Sequence, residues 1–492
     1  MSFRSSFCRK AAYWLALGFL LALSVLLLFD NLGVPEVRRA DEAQHGVNAY
    51  EMMQRGDYLV NTYRGEVDYW NLKPPLSFYG IILGYKLFGF TTFGLRFYSA
   101  ASMFGLMVIL ALWMKKRYGS VASLVSQLFL MGCGIIYGEH FARFGDADSL
   151  YVLFYTLSML CMLESACDVR WLYGSAIGFG LAFMAKSWHA ALIPITCLAF
   201  VCINGQIRNL RWQHYLLLLF FGLLPIAPWA IARIRYDGLT FFKTMLGTDV
   251  FTRATTVLED HSGGWLYYVQ YLLSEPTVCV AFLFAAAVFL EKFRRRTRLS
   301  ADQQGLMLWF GIPVVFFSLC VSKLQWYVFP CPIALAVALG VIIQKLFSRL
   351  PHTVPKMRIR VLISIAMCIV LLCGLTVGNL QDISSLYCGD LFDKLIFSTF
   401  VRERDSGKHV YIQYESENMY RKIDHTDWLR DEVLSVTLAG DMICMDGGAA
   451  AFAADPEPAY LIAHDVGLET ELLADFELAM VWPPLRVYKN HP

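Results

Sequence analysis

Residues 11–29 read AAYWLALGFLLALSVLLLF, preceded by Arg4, Arg9 and Lys10 and followed by Asp30. An uncharged apolar run of this length approaches the roughly 20 residues that cross a bilayer as a helix. It exceeds the about 7–15-residue core of a secretory signal, and no small-x-small cleavage site follows it. It therefore reads as a retained membrane helix with its N-terminus in the cytoplasm. Similar runs recur to about residue 378, and the 492-residue chain is 57% hydrophobic and 17% charged. A soluble chain of this size carries about 25% charged residues. The fold class that follows is an all-α polytopic membrane bundle. A net charge of +2 and the lack of a basic strip interleaved with aromatics exclude a nucleic-acid partner.

Further spans are expected at 95–114, 121–137, 150–163, 172–185, 190–203, 215–231, 271–290, 306–321, 326–344 and 361–377. With the first helix they make about 11 spans, up to 13 if apolar stretches containing Gly and Pro are split. Basic clusters lie at 115–117, at Arg208 and Arg211, at 292–298 and at 345–360. The excess of Lys and Arg in cytoplasmic loops places all four inside. This holds only if residues 73–90 do not cross. That stretch opens with Pro74-Pro75 and is broken by Gly80, Gly84 and Gly89, so it reads as a re-entrant or interfacial helix. The outer segments are then 30–90, 138–149, 233–270 and 322–325.

From about residue 380 the character changes. His409-Val-Tyr-Ile-Gln-Tyr414 alternates like a strand, residues 459–463 and 478–482 read as further strands, and 427–436 as a helix. Two domains are expected: a membrane domain over 1–379 and a small α/β domain over 380–492 on the outer face. The thirteen cysteines include no C-x-x-C pair, and most lie in apolar runs as small hydrophobes. Cys388 and Cys444 lie in the polar tail, where oxidising surroundings would allow them to pair.

Nearly every unusual polar residue falls in an outer segment. Asp41 and Glu42 follow the first span within Ala40-Asp-Glu-Ala-Gln-His-Gly46. Two readings fit them: acids in a helix's first turn, which suit its macrodipole, or carboxylates serving as a general base or cation ligands. Asp146 and Asp148 close Glu139-His-Phe-Ala-Arg-Phe-Gly-Asp-Ala-Asp-Ser149. A cap explains one acid there, whereas several ionisable groups between two apolar helices point to function. Lys73 before Pro74-Pro75 is either a snorkelling interfacial lysine or a phosphate contact. Arg253 and His261, near Gly263-Gly264, and Lys323, before Trp326-Tyr327, carry the same choice between solvated or anchoring residue and phosphate ligand. Lys186 and His189 are a weaker case of the same kind. Carboxylates and cations gathered on one membrane face suit a lipid substrate with a phosphate headgroup.

The ordered set Arg39-Ala40-Asp41-Glu42, Lys73-Pro74-Pro75-Leu76, Ala142-Arg143-Phe144-Gly145-Asp146-Ala147-Asp148, Pro228-Trp229, His261-Ser262-Gly263-Gly264-Trp265 and Ser322-Lys323 with Tyr327, Pro330 and Pro332 resembles the GT-C integral-membrane glycosyltransferases. Among them it is similar to the aminoarabinose-transferase-like and protein O-mannosyltransferase-like groups. The resemblance covers residues 37 to 335. It implies a sugar taken from a polyprenyl-phosphate carrier of the undecaprenyl type and passed to an extracytoplasmic acceptor: lipid A, another glycolipid, a polysaccharide or a protein. It implies Asp41 as the catalytic base and Asp146 or Asp148 as an acid that supports the site or a metal, with Glu42 a further catalytic candidate beside Asp41, and it puts Lys73, Arg143, Arg253, His261 and Lys323 around the carrier phosphate. Mg or Mn on Asp41, Asp146 and Asp148 is a further option, with the bacterial inner membrane as location and the periplasm as the side of the site. The chain departs from the pattern at Ala185-Lys186-Ser187-Trp188-His189, and the C-terminal domain matches no pattern. The rival is a transporter or lipid flippase, for which intramembrane charge is equally suitable. Inverted repeats, frequent in transporters, are not visible.

Overall fold

The computed structural model describes residues 2–35, 37, 40–252, 255–256, 262–349, 355–386, 391–413, 430–464, 473–483 and 485–491. The chain forms two compact units. One comprises Met1–Asn31, Leu72–Ser77 and Phe97–Ser385; the other comprises Leu32–Asn71, Phe78–Arg96 and Leu386–Pro492.

Six helices among the described residues are long and apolar enough to cross a bilayer: Lys10–Phe29, Thr92–Arg117, Trp171–Ile203, Pro276–Arg294, Gln325–Ser348 and Val361–Ser384. A seventh span results if Trp212–Leu223 and Ala227–Asp237, bent by 58°, count together. The protein is thus a multi-pass membrane protein. The expected 11 to 13 spans exceed this number because several fold as shorter helices and because Trp171–Ile203, counted once, joins the helices Trp171–Lys186 and Leu192–Ile203 through a turn at Ser187–Ala191. Ser120–Gly132, for instance, has 13 residues, which at 1.5 Å each reach about 20 Å of a roughly 30 Å hydrocarbon core. Leu76–Phe88, expected not to cross, is also too short to do so.

Within the first unit, burial separates the centre of the bundle from its rim. The span at Gln325–Ser348 is 83% buried, whereas Pro276–Arg294 and Val361–Ser384 are 17% and 22% buried and turn apolar side chains outward. Gly340 lets the central helix approach the Ser120–Gly132 helix so closely that a Cβ there would stand 2.5 Å from the Ala122 carbonyl. Large side chains such as Trp309, Tyr151, Tyr155 and Phe329 fill the interior.

The two ends of this bundle differ in chemistry. At one end Arg117 pairs with Glu164 at 2.6 Å and Asp302 at 2.7 Å. Gln206 donates to the Ser165 carbonyl, Lys292 to Gln303, and Gln344 accepts from Val121 N–H. These bonds gather Arg117, Gln206, Lys292 and Gln344, each in or beside one of the four basic clusters, at a single end, as the charge rule requires. The acids of the 138–149 loop lie at the other.

The second unit joins the first polar loop to the C-terminal residues. It holds a short antiparallel pair, β1 (Thr62–Tyr63) and β2 (Glu66–Val67), and a five-stranded sheet built from β3 (His409–Gln413), β4 (Ile443–Met445), β5 (Ala459–His464), β6 (Glu477–Trp482) and β7 (Leu485–Lys489) in the order β4-β3-β5-β7-β6. β3 runs parallel to β4 and β5, with Val410 opposite both Cys444 and Tyr460. β7 is antiparallel to β5 and β6. Tyr411, Phe452, Leu461, Leu473 and Tyr488 form its core. The small α/β domain is therefore present, with β4 and β7 in addition to the three strands expected. The helix expected at 427–436 is Arg430–Gly440, and 427–429 lie outside the described residues. The Ala40–Arg55 helix packs on Arg430–Gly440: Gly46 meets Leu434, Tyr50 donates to Asp441, and Arg402 donates to the Tyr50 oxygen at 2.6 Å. Cys444 is buried as a free thiol, and Cys388, its suggested partner, lies outside the described residues.

Candidate functional site

In the second unit the Ala40–Arg55 helix carries Asp41 and Glu42 in its first turn, where carboxylates meet the positive end of the macrodipole. The two acids have different surroundings. Glu42 is fully buried. Its Oε1 accepts from Arg96 Nε at 2.7 Å and its Oε2 from Arg96 Nη2 at 2.9 Å. Arg96 Nη1 also donates to the Leu32 and Pro35 carbonyls, at 3.1 and 2.6 Å. A guanidinium fork buried against a carboxylate fixes the entry of the chain into this helix. Asp41 is only partly buried, and its carbonyl accepts from His45 Nδ1 at 2.6 Å.

In the first unit, Gly132 ends a helix, a 3₁₀ turn follows at Gly134–Ile136, and His140 adopts a left-handed φ of 62°, uncommon for a residue with a Cβ. This turn directs its ring onto Trp326, with centroids 3.9 Å apart, and its Nδ1 to within 2.7 Å of the Asp146 carboxylate. Asp146 is buried, and its carbonyl accepts from Tyr98 Oη at 2.6 Å and Ser99 Oγ at 3.2 Å. The next helix starts at Asp148 after Ala147, with no side-chain cap, so neither acid serves as one. Asp148 instead forms a buried ion pair with Lys186, from the end of the Trp171–Lys186 helix.

The predicted cations fall into three groups. Lys73 is partly buried ahead of Pro74-Pro75 and makes no hydrogen bond or ion pair among the described residues. It is near enough to Lys186 for their charges to repel. Arg143 and Lys323 are tied to backbone. Arg143 donates to the Leu27 carbonyl at 2.8 Å and the Asp30 carbonyl at 2.7 Å, closing the end of the first helix. Lys323 donates to the Cys320 and Ser318 carbonyls at 2.6 and 3.0 Å, the free carbonyls that a helix C-terminus presents. Arg253 and His261 lie outside the described residues.

Arg96 and His140 are residues that sequence reasoning left out of the site, and Lys186 was weighed only as a weak phosphate contact, not as the partner of Asp148. A signal for two of them exists: Lys186 and Arg96 are cations inside otherwise apolar helices, and such a charge needs an acid partner. His140 is a loop histidine whose role depends on its backbone angle, which no pattern in the sequence encodes.

Residues 72–231 match the family model described as dolichyl-phosphate-mannose-protein mannosyltransferase. The chain is 28% identical over 349 residues to the undecaprenyl phosphate-alpha-4-amino-4-deoxy-L-arabinose arabinosyl transferase of Pseudomonas savastanoi pv. phaseolicola, covering 68% of this chain and 61% of that one. It is 25% identical to the Pseudomonas aeruginosa LESB58 transferase of the same description, over 68% of this chain and 59% of that one. The matches thus span less than two thirds of the length of these curated relatives. The crystal structure of ArnT from Cupriavidus metallidurans bound to undecaprenyl phosphate superposes with a TM-score of 0.71, covering 98% of both chains at 16% identity. The archaeal oligosaccharyltransferase AglB from Archaeoglobus fulgidus gives 0.55 at 10% identity, over 94% of this chain and 70% of that one. These relatives and the apolar spans mark a multi-pass protein of the bacterial inner membrane. The chain has the fold of the GT-C integral-membrane glycosyltransferases and is similar in sequence to their aminoarabinose-transferase-like branch.

Proposed function

We propose that the protein is a glycosyltransferase that moves a sugar from a polyprenyl-phosphate donor of the undecaprenyl type to an acceptor on the periplasmic side. The acceptor class is lipid A, another glycolipid, a polysaccharide or a protein. The observation that carries this reading is Lys73: a cation with no ion pair among the described residues, close to Lys186 and its partner Asp148 and away from the basic clusters. An unmatched ammonium there suits the phosphate of a lipid carrier. The names of the relatives, which specify an undecaprenyl-phosphate sugar, support the donor class.

In the proposed reaction Asp41 accepts the proton of an acceptor hydroxyl. The acceptor oxygen bonds to the anomeric carbon, the bond from that carbon to the carrier phosphate breaks, and the configuration inverts. The electron pair leaves on the phosphate oxygen, where Lys73 stabilises it, with Arg253 and His261 as further candidates. Glu42 contributes by orienting Asp41 through its bond to Arg96, and Asp148 by fixing Lys186. Arg143 and Lys323 contribute by holding their loops. Asp41, Asp146 and Asp148 are the acids proposed to hold a divalent cation, with His140 beside Asp146 as a nitrogen donor, and a mixed nitrogen and oxygen set suits Mn better than Mg. When bound, such an ion would offset phosphate charge. Residues 1–379 constitute the transferase in this reading, and 380–492 a periplasmic domain.

Purified protein given an undecaprenyl-phosphate sugar and an acceptor extract should release undecaprenyl phosphate. Asp41→Asn should slow this by about 10²–10⁴-fold at unchanged protein level, the contribution of a positioned base. Near-normal transfer by Asp41→Asn removes Asp41 from the reaction. Lipid translocation without donor consumption by the wild type points to the flippase reading instead.

A further inference from the structure

The first unit holds a cavity of about 350 Å³ between the Trp171–Lys186, Leu192–Ile203 and Trp212–Leu223 helices. Its walls include Phe179, Leu198, Leu218 and Leu219 and present almost no polar surface. At one level the first and third of these helices touch through backbone. A Cβ on Gly180 would come within 2.5 Å of the Gly222 carbonyl. From Gly222 the cavity runs past Leu219 and Leu218 to Tyr215, Leu210 and Ile207, at the end of the bundle where the basic clusters gather.

That end has a distinct chemistry. Arg208 and Arg211 flank Leu210, are exposed, and form no ion pair among the described residues. Trp212 is 69% exposed and Tyr215 49% exposed, as aromatics are at the boundary between hydrocarbon and headgroups. An apolar groove within the hydrocarbon layer that ends at two unmatched guanidiniums and two boundary aromatics has the polarity of a phospholipid: acyl chain along the helices, phosphate at the arginines. Guanidinium pairs well with phosphate oxygens, and basic pockets between helices on the cytoplasmic side recognise anionic headgroups. We infer that this groove binds an anionic diacyl phospholipid of the cytoplasmic leaflet, at the opposite end of the bundle from Asp146 and Asp148.

The probe is a diacyl phosphatidylglycerol, titrated by native mass spectrometry against the full-length protein in detergent. Phosphatidylethanolamine and undecaprenyl phosphate serve as comparison lipids. Arg208→Gln with Arg211→Gln should weaken phosphatidylglycerol binding about 30-fold, each basic residue contributing about fivefold at such a surface. Leu219→Trp, at a position 59% exposed to lipid and therefore tolerant of a larger side chain, should block the groove and give a similar loss. Neither change should alter the melting temperature by more than a degree or two. Phosphatidylglycerol binding that survives both variants, or that equals phosphatidylethanolamine binding in the wild type, overturns the inference. Undecaprenyl phosphate binding more tightly than phosphatidylglycerol, with the same loss in both variants, assigns the groove to the donor's isoprenoid tail and overturns it as well.

Discussion

Two acid pairs open two helices of this protein, and the structure treats them alike in one respect and differently in another. Asp41 and Glu42 begin a helix of the second unit; Asp146 and Asp148 lead into a helix of the first. In each pair one member is buried against a cation supplied by an apolar helix: Arg96 for Glu42, Lys186 for Asp148. Of the other members, Asp146 is buried beside the His140 ring, and Asp41 is only partly buried. The difference lies in the cation. Arg96 grips both Glu42 oxygens and two carbonyls, a geometry its planar fork fixes. Lys186 meets Asp148 as a point charge, with the charge of Lys73 close by. Adjacency in sequence therefore does not give two acids the same surroundings; the interior cation decides which carboxylate is held in a buried ion pair.

Breaking the pairs should have the largest effect. Lys186→Met leaves Asp148 buried without its cation, a loss of about 3–5 kcal/mol that thermal unfolding in detergent should register. Adding Asp148→Leu should restore most of this stability, because an apolar pair of similar volume often replaces a buried ion pair at little cost. If transfer returns together with stability, the pair is structural only. Arg96→Met should destabilise the second unit by a comparable about 3–5 kcal/mol, seen as lost amide protection in residues 40–55. Arg96→Lys keeps the charge but loses the fork, and should fall between wild type and Arg96→Met.

A smaller effect sharpens the contrast between paired and unmatched cations. Lys73→Ala should raise the donor KM about 10–100-fold, the value of a charge-assisted hydrogen bond, while the melting temperature stays constant. A drop in melting temperature instead would make Lys73 another structural cation.

The smallest effect concerns another buried acid, Asp405. Burial pushes the Asp405 carboxyl up, but Arg404, the Val401 N–H, Tyr460 and Lys408 outweigh it and hold it at about 2. In the unfolded chain an aspartate titrates near about 3.9. Between these values the unfolded state binds more protons, so the contribution of Asp405 is complete above about pH 4 and is lost as pH falls towards 2. It amounts to on the order of 2 kcal/mol. Amide exchange of residues 401–413 in the full-length protein should accelerate over that window, and Asp405→Asn should abolish the pH dependence.

Local signals in the sequence account for much of this architecture and for few of the contacts. The apolar run at 95–114 sits within the Thr92–Arg117 helix, and alternation at 409–413 and 459–463 marks β3 and β5. β4, with three residues, is too short to show a period. β7 alternates in burial at Leu485–Val487, but it follows Pro483-Pro484, which reads as an ending. The bend of 58° between Trp212–Leu223 and Ala227–Asp237 divides what reads as one span, because Pro225 cannot continue the helix. Of the site, the acids and Lys73 were visible as costly charges in an apolar chain. Their partners were not, since Arg96 lies 54 residues from Glu42 and Lys186 lies 38 from Asp148, and nothing local encodes which cation meets which acid.

The proposal that both acid pairs serve one reaction requires the two loops to share a side of the membrane. Single cysteines at Glu66, Glu139 and Arg208, all exposed positions, in a background without the native cysteines, report this directly. In intact cells with a permeabilised outer membrane, a membrane-impermeant maleimide should label positions 66 and 139 and leave 208 unlabelled until the inner membrane is opened. Labelling of 66 and 139 from opposite sides would contradict the account.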